Sequence, residues 1–253
     1  MNYLITIAYD GRNYHGWQVQ KNADSIQART ENACLRLFGE KITVYGCSRT
    51  DTGVHANCFM ANFHADKVLS PDTVVNALNF YLPPDIAVRE CVYVPEGFHA
   101  RFCCTSKEYL YKICNTSVRD PFSIGRALHY RPALDADFLN RQAQDFIGRH
   151  DFSALRAQGS TVKTTVRTVH YADVTRNGPE VIFRVAADGF LYNMVRIMAG
   201  TLLYISEGKI PADSIPMIIR SKDRLTAGKT LPPDGLYLNR VSYEKGVCTL
   251  RAE

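Results

Sequence analysis

Apolar and polar positions in the first hundred residues set out strands and helices in turn. Asn2 to Tyr9 alternates and is rich in β-formers, which predicts a strand. Ile26, Thr30, Ala33, Leu37 and Phe38 then fall on one face at helical spacing. Asp24 with Gln27 three residues on reads as a capping box at the start of this helix, and Gly39 as its C′ residue. Ile42 to Tyr45 and Cys58 to Phe63 read as strands. Ser70-Pro71 opens a second helix, through Val74, Val75 and Leu78 toward Leu82, and Pro83-Pro84 stops it. Ile86 to Val94 is the next strand. Strand–helix–strand–strand–helix–strand is the ferredoxin-like order.

A second set follows. Lys107 to Ile113 alternates, with Tyr109 and Tyr111 on one face of the predicted strand and Leu110 and Lys112 on the other. Asp135 to Ile147 has helical spacing and ends at Gly148. Val166 to Val174 and Val181 to Ala187 read as an antiparallel pair around Asn177-Gly178. Gly189 precedes an apolar helix, Phe190 to Ser206, whose buried stripe is Leu191, Met194, Val195, Met198, Leu202 and Ile205. Strands over 236–243 and 247–251 close the chain. The pattern divides near Cys104 into an N-terminal α+β domain, 1–104, and a C-terminal α+β domain, 105–253.

Composition narrows the class without choosing a function. The chain has 253 residues, of which 46% are hydrophobic, ample for packed cores, and carries a formal charge of +5. That charge permits an anionic partner and does not demand one. The N-terminus lacks a basic segment followed by an apolar one, so no signal peptide is expected. The most apolar run, Phe190 to Ile205, contains Asn193 and Arg196 and falls short of the ~20 apolar residues of a membrane span. These features predict a cytoplasmic protein. Eight cysteines include no C-x-x-C pair, and no metal-ligand spacing appears among them or the seven histidines. Reduced, mostly buried thiols are expected, and no metal.

Candidate chemistry concentrates in Gly46-Cys47-Ser48-Arg49-Thr50-Asp51-Thr52-Gly53-Val54-His55-Ala56. Residue types alone leave two readings. Asp51 and Thr52 satisfy their own backbone amides in a solvated turn, or the glycines let the chain bend or approach a ligand while Asp51 projects as a reactive carboxylate. Asp10-Gly11 begins a loop with Arg12, Tyr14, His15, Gly16 and Trp17, suited either to stacking on bases and gripping phosphates or to seating Trp17 over the core edge. His150-Asp151 suggests a general base pair or, with Asp151 at a helix start, a cap. Arg156, Lys163, Arg167 and His170 share an acid-free stretch that reads as phosphate-contacting or as an exposed basic hairpin. Arg196 in its apolar stripe is costly unless an anion meets it or it snorkels to water.

The string Ser48 to Ala56 closely resembles the active-site signature of the tRNA pseudouridine synthase A family, usually Gly-Arg-Thr-Asp-Ala-Gly-Val-His-Ala, with Thr52 in place of the usual Ala. Four more blocks resemble the same family in order. They are Tyr9-Asp10-Gly11 with Gly16-Trp17-Gln18-Val19-Gln20, Phe98 to Phe102 leading to Tyr109, Gly148 to Phe152, and Phe190 to Leu202. The family's Ala-Gly-x-Thr-Ala-Pro corresponds to the run from Ala227 to Leu236, where Leu231 and Pro233 depart from the common form.

The resemblance implies an α+β fold of two ferredoxin-like halves, their antiparallel sheets joined into one central sheet with the active-site cleft between them. It implies Asp51 as nucleophile, with no cofactor. Tyr109 would stack on the uracil, Leu236 would pack on its other side, Arg196 would pair with the carboxylate, and Arg49 would fill the space of the flipped base. Arg12, Arg156, Lys163 and Arg167 would contact the RNA backbone. A homodimer acting on uridines at tRNA positions 38–40, in the anticodon arm, is the implied assembly and substrate. A paralogue acting on another RNA, such as ribosomal RNA, and a non-catalytic RNA-binding module remain the alternatives.

Overall fold

The computed structural model describes residues 1–159, 162 and 164–244. Lys163 and the strand expected over 247–251 lie outside these residues. The protein is α+β, and the chain divides into two compact units. Met1–Thr105 and the chain from Tyr237 onward form the first, and Ser106–Leu236 the second.

In the first unit β1 (Asn2–Tyr9) is flanked by β3 (His55–His64) and β4 (Ile86–Val94), antiparallel to both. The far edge of β3 is shared. The short β2 (Tyr45–Gly46) pairs at Asn62 and Ala61, and the C-terminal strand (Leu236–Tyr243) runs parallel at His55 and Ala56. The order β4-β1-β3-β2, with α1 (Ile26–Phe38) and α2 (Pro71–Tyr81), is the ferredoxin-like arrangement expected for this half. The C-terminal strand therefore lies with this unit, away in sequence from the residues before 105. Phe38 of α1 meets the rings of Tyr3 and Phe63 at 5.9 and 5.7 Å, and Ile5, Ile7, Phe59 and Leu78 complete a dry core.

Two local expectations change. Ser25, not Asp24, caps α1, accepting from the Ala28 amide at 3.3 Å, while Asp24 turns to the Arg29 guanidinium. The strand expected from Ile42 shrinks to two residues. The Val44 amide donates to Glu31 Oε1 at 3.1 Å and its carbonyl accepts from Gln27 Nε2 at 3.2 Å, so helix side chains take the bonds a ladder would have used.

In the second unit β5 (Cys104–Cys114) pairs antiparallel with β9 (Glu180–Ala187), β9 with β8 (Val166–Asn177), and β8 with β7 (Gly148–Asp151); the short β6 (Leu128–His129) lies parallel to the end of β5. The expected helix 135–147 is α3 (Ala136–Ala143) followed by a 3-10 turn, Gln144–Phe146. The apolar helix is α4 (Met194–Ser206), four residues shorter at its start than expected, because Asn193 adopts φ 59° and the Met194 amide closes a turn onto the Leu191 carbonyl. The expected stripe is buried throughout. The short α5 (Ile215–Ser221) follows. No disulfide joins the described cysteines, and burial pushes the thiols of Cys34 and Cys91 up to about 12. No helix among the described residues is long and apolar enough to cross a membrane.

Candidate active site

The signature residues occupy the connection from β2 to β3. It leaves β2 with the Cys47 amide on the Met60 carbonyl at 2.8 Å and turns tightly where the Val54 amide meets the Asp51 carbonyl at 3.1 Å, with Gly53 at φ 78°. The loop 10–17 holds it from beneath. Trp17 donates its amide to the Thr50 carbonyl, Tyr14 accepts from the Gly53 amide, both at 3.2 Å, and the Tyr9 and Thr50 hydroxyls meet at 2.8 Å. Gly16, at φ 84°, lies so close that an added Cβ would collide with the Thr50 carbonyl. Trp17 stacks on Phe59 with 4.0 Å between ring centroids and is buried, and Gly46 leaves room for its indole. The aromatic loop is thus the seat of the signature turn, and Trp17 is core rather than a stacking platform. Asp51 sits half-buried on this turn and Arg49 exposed.

His55 is buried, its ring stacked 4.5 Å from that of Tyr237, and its Nδ1 takes the Gly11 amide at 3.2 Å with Asp10 at 3.3 Å. Arg12, an expected phosphate contact, forks onto the Asp10 carboxylate with a shortest bond of 2.7 Å. This fork also helps hold the Asp10 carboxyl below its usual range, against the opposing effect of burial.

In the second unit Arg196 lies on α4, Tyr109 on β5 and Leu236 at the end of the loop 227–235. Arg196 is half-buried on α4, its Nε donating to the Leu231 carbonyl at 2.6 Å and Nη1 to Asn193 Oδ1 at 2.7 Å. The loop 227–235 is pressed onto α4 where Gly200 and Gly228 meet backbone to backbone, and the Gly228 amide donates to Thr201 Oγ1 at 3.0 Å. Tyr111 is fully buried and donates its hydroxyl to the Pro232 carbonyl at 2.9 Å. Burial raises its hydroxyl's pKa, and the nearby Arg196 charge opposes that. Two residues back on the same face of β5, Tyr109 packs edge-on against Phe190 at 5.1 Å. Leu236, at the end of the loop, is buried.

The remaining candidates are dispersed. His150 contacts the Ile147 carbonyl, while Asp151 accepts from the Ser153 amide at 3.1 Å and pairs with Lys222 at 3.1 Å. Phe152 holds the capping position of the following 3-10 turn, whereas Asp151 ends β7 and closes a local side-chain turn onto Ser153. Hydrogen bonding from Thr165, then Lys222 and Ser153, lowers its carboxyl to about 2, which leaves it a weak base at neutral pH. Arg156 is half-buried, and so is Arg167, which donates Nη1 to the carbonyls of Thr164 and Val166.

The sequence profile of a family described as tRNA pseudouridine synthase matches residues 5–103 and 142–244. The chain belongs to this family. Proteins named tRNA pseudouridine synthase A are similar along nearly their whole length. That of Acetivibrio thermocellus is 46% identical over 96% of this chain and 99% of its own, and that of Ruminiclostridium cellulolyticum 44% identical over 94% and 98%. Among solved structures, a chain of a Cbf5-Nop10-Gar1 complex aligns over 93% of this chain and 57% of its own at 13% identity, with a TM-score of 0.34 too low to argue from. The family's matched segments contain Arg49, Asp51, Arg196 and Leu236. Tyr109 falls in the stretch 104–141 between them.

Proposed function

We propose that this enzyme isomerises uridine to pseudouridine in tRNA, at positions 38–40 of the anticodon arm, as a cytoplasmic homodimer needing no cofactor. Membership of the pseudouridine synthase family carries the reading. In the reaction the N1–C1′ bond breaks, the uracil turns, and a C5–C1′ bond forms. A proton leaves C5 and N1 takes one up, so no electrons or groups are exchanged with a second molecule. Asp51 is the nucleophile, carried on a turn that main-chain bonds from the loop 10–17 hold in place. Tyr109 and Leu236 hold the uracil, Arg196 stabilises the carboxylate, and Arg49 fills the space of the flipped base. Arg12, Arg156, Lys163 and Arg167 contact the RNA backbone. Arg12 must exchange Asp10 for a phosphate to do so, which makes it the weakest member of that group.

Tritium release from C5-labelled uridine in a tRNA transcript tests the reading directly. Wild type should release label, and Asp51→Asn should release none while still binding the tRNA. Adding Arg196→Leu to Asp51→Asn should cost little more, because residues acting as one unit are not additive. Substantial pseudouridine formation by Asp51→Asn would overturn the assignment. Label released from ribosomal RNA but not from tRNA would point to the paralogue instead.

A further inference from the structure

A shallow recess on the first unit adjoins the signature loop and extends away from Asp51 over residues that the site above does not use. Ser48 and Arg49 line it together with Tyr45, His99, Arg101 and Phe102. The rings form a ladder. Tyr45 lies 5.2 Å from His99, and His99 4.3 Å from Phe102, centroid to centroid. The rings are tilted by 45° and 40° to one another, Phe102 is 76% exposed and Tyr45 42%, and the Arg101 guanidinium lies 5.9 Å from the Phe102 centroid, so aromatic surface and a cation meet water side by side. Arg49 and Arg101 are both exposed, and among the described residues no carboxylate lines the recess.

The ladder stands on a rigid base. The turn 99–102 closes with the Phe102 amide on the His99 carbonyl at 3.1 Å. Beneath it the buried side chains of Asn2 and Asn62 bond each other at 3.1 Å and both donate to the Phe98 carbonyl, while Asn62 Oδ1 accepts from the Ala100 amide at 2.8 Å. Tyr243 donates its hydroxyl to the Ala100 carbonyl at 2.9 Å. Exposed aromatic rings on a turn fixed by buried amides are preorganised, so binding would spend little entropy ordering them.

We propose that this recess binds an unstacked nucleotide of the substrate RNA, its base stacked on the Phe102–His99–Tyr45 ladder and its phosphate met by Arg101. The inference rests on the isomerase reading for the identity of the RNA. Stacking accepts any base because every base has a π face, and the flanking guanidiniums supply the charge a phosphodiester needs. His99 suits a stacking role. Its Nδ1 accepts the Arg101 amide at 3.1 Å, and burial followed by the Arg101 charge lowers its pKa, so the ring is neutral at pH 7. Because Ser48 and Arg49 belong to the signature loop, a nucleotide seated here engages the chain two residues from Asp51.

The test uses the full chain carrying Asp51→Asn and an unmodified tRNA transcript with uridine at position 39. Adding Phe102→Ala should weaken binding by about 5- to 100-fold, Phe102→Tyr should preserve it, and Phe102→Leu should behave as the alanine variant. Arg101→Ala should lower the salt slope by about one unit. In the active chain, Phe102→Ala should raise the tRNA concentration needed for half-maximal single-turnover rate and leave the saturated rate near wild type. Equal affinity of the Phe102→Ala, Phe102→Leu and parent proteins for the transcript would overturn the proposal and leave the recess to some other anionic partner. Absence of tritium release by the wild type would instead sink the isomerase reading, and the affinity ratios would still decide the recess.

Discussion

Each unit fixes its motif residues by pressing a glycine against backbone, yet the side chains are employed differently. In the first unit Gly16 abuts the Thr50 carbonyl, and the signature turn is then held by main-chain bonds to Tyr14 and Trp17. In the second, Gly200 and Gly228 bring α4 and the loop 227–235 into contact, but the Arg196 guanidinium itself ties that loop through the Leu231 carbonyl. The first unit holds the turn that carries Asp51, the proposed nucleophile, through main-chain bonds from the loop 10–17. The other uses the functional side chain as part of the scaffold. Changing Arg196 should therefore alter the position of the loop 227–235 as well as any chemistry it serves.

The largest expected effect breaks the first scaffold. Gly16→Ala places a Cβ against a carbonyl that cannot move aside and forces a left-handed backbone on alanine, at a cost of about 3 kcal/mol. A displaced turn of that kind should also lower the single-turnover rate by about 100-fold. Urea unfolding and tritium release measure the two. A Gly16→Ala protein of wild-type stability and rate would mean the loop 10–17 does not seat the signature turn.

Gly200→Ala sharpens the comparison through its sign. In a helix free of neighbours the change would stabilise by about 1 kcal/mol. Here the Cβ meets the Lys229 carbonyl, and overpacking of about 1–3 kcal/mol should outweigh the gain. A higher melting temperature for Gly200→Ala would show that α4 and the loop are not in contact. A comparable loss is expected where the recess of the first unit is founded. Asn62→Ala strips partners from the Phe98 carbonyl and the Ala100 amide, both buried, and should cost about 2 kcal/mol in urea unfolding. No loss would mean that water replaces the amide there and the turn 99–102 is not rigidly held.

Much of this was legible in the chain and some was not, for local reasons. Period-2 and period-3.6 patterns placed β1, β4, α2 and the buried stripe of α4 because those residues meet the core of their own unit. Asp24 and Ser25 are both good caps one residue apart, and nothing in the pattern says which will face the helix amides. Val44 looks like strand, but its hydrogen bonds go to Gln27 and Glu31 on α1, a tertiary fact. The glycines around Asp51 suggest close approach to a ligand, and the approach at Gly46 and Gly16 is to the protein itself. The ladder of Tyr45, His99 and Phe102 joins residues from two separated segments, so no local pattern signals it. Arg196 stood out because a charge inside an apolar stripe needs a partner, and its side chain meets the Leu231 carbonyl and the Asn193 amide oxygen, both tertiary or turn contacts that no pattern shows.

The smallest expected effect concerns a carboxylate of the second unit that serves structure alone. Asp151 is lowered to about 2 by hydrogen bonding from Thr165 first, then by Lys222 and the Ser153 group. In the unfolded chain an aspartate titrates near ~3.9. As pH falls, the unfolded state takes up its proton before the folded state does. The stabilisation is therefore complete above about pH 4 and is lost as the pH drops toward 2. Lys222 is 63% exposed, so water and salt screen its share, and the total should be small. Asp151→Asn should melt below wild type at pH 7, the gap narrowing between pH 4 and 2. Lys222→Ala should reproduce only part of the gap, since Thr165 contributes most. A gap that stays constant from pH 7 to pH 2 would show that Asn fails by shape rather than by lost charge, and the low pKa would then have no hold on stability.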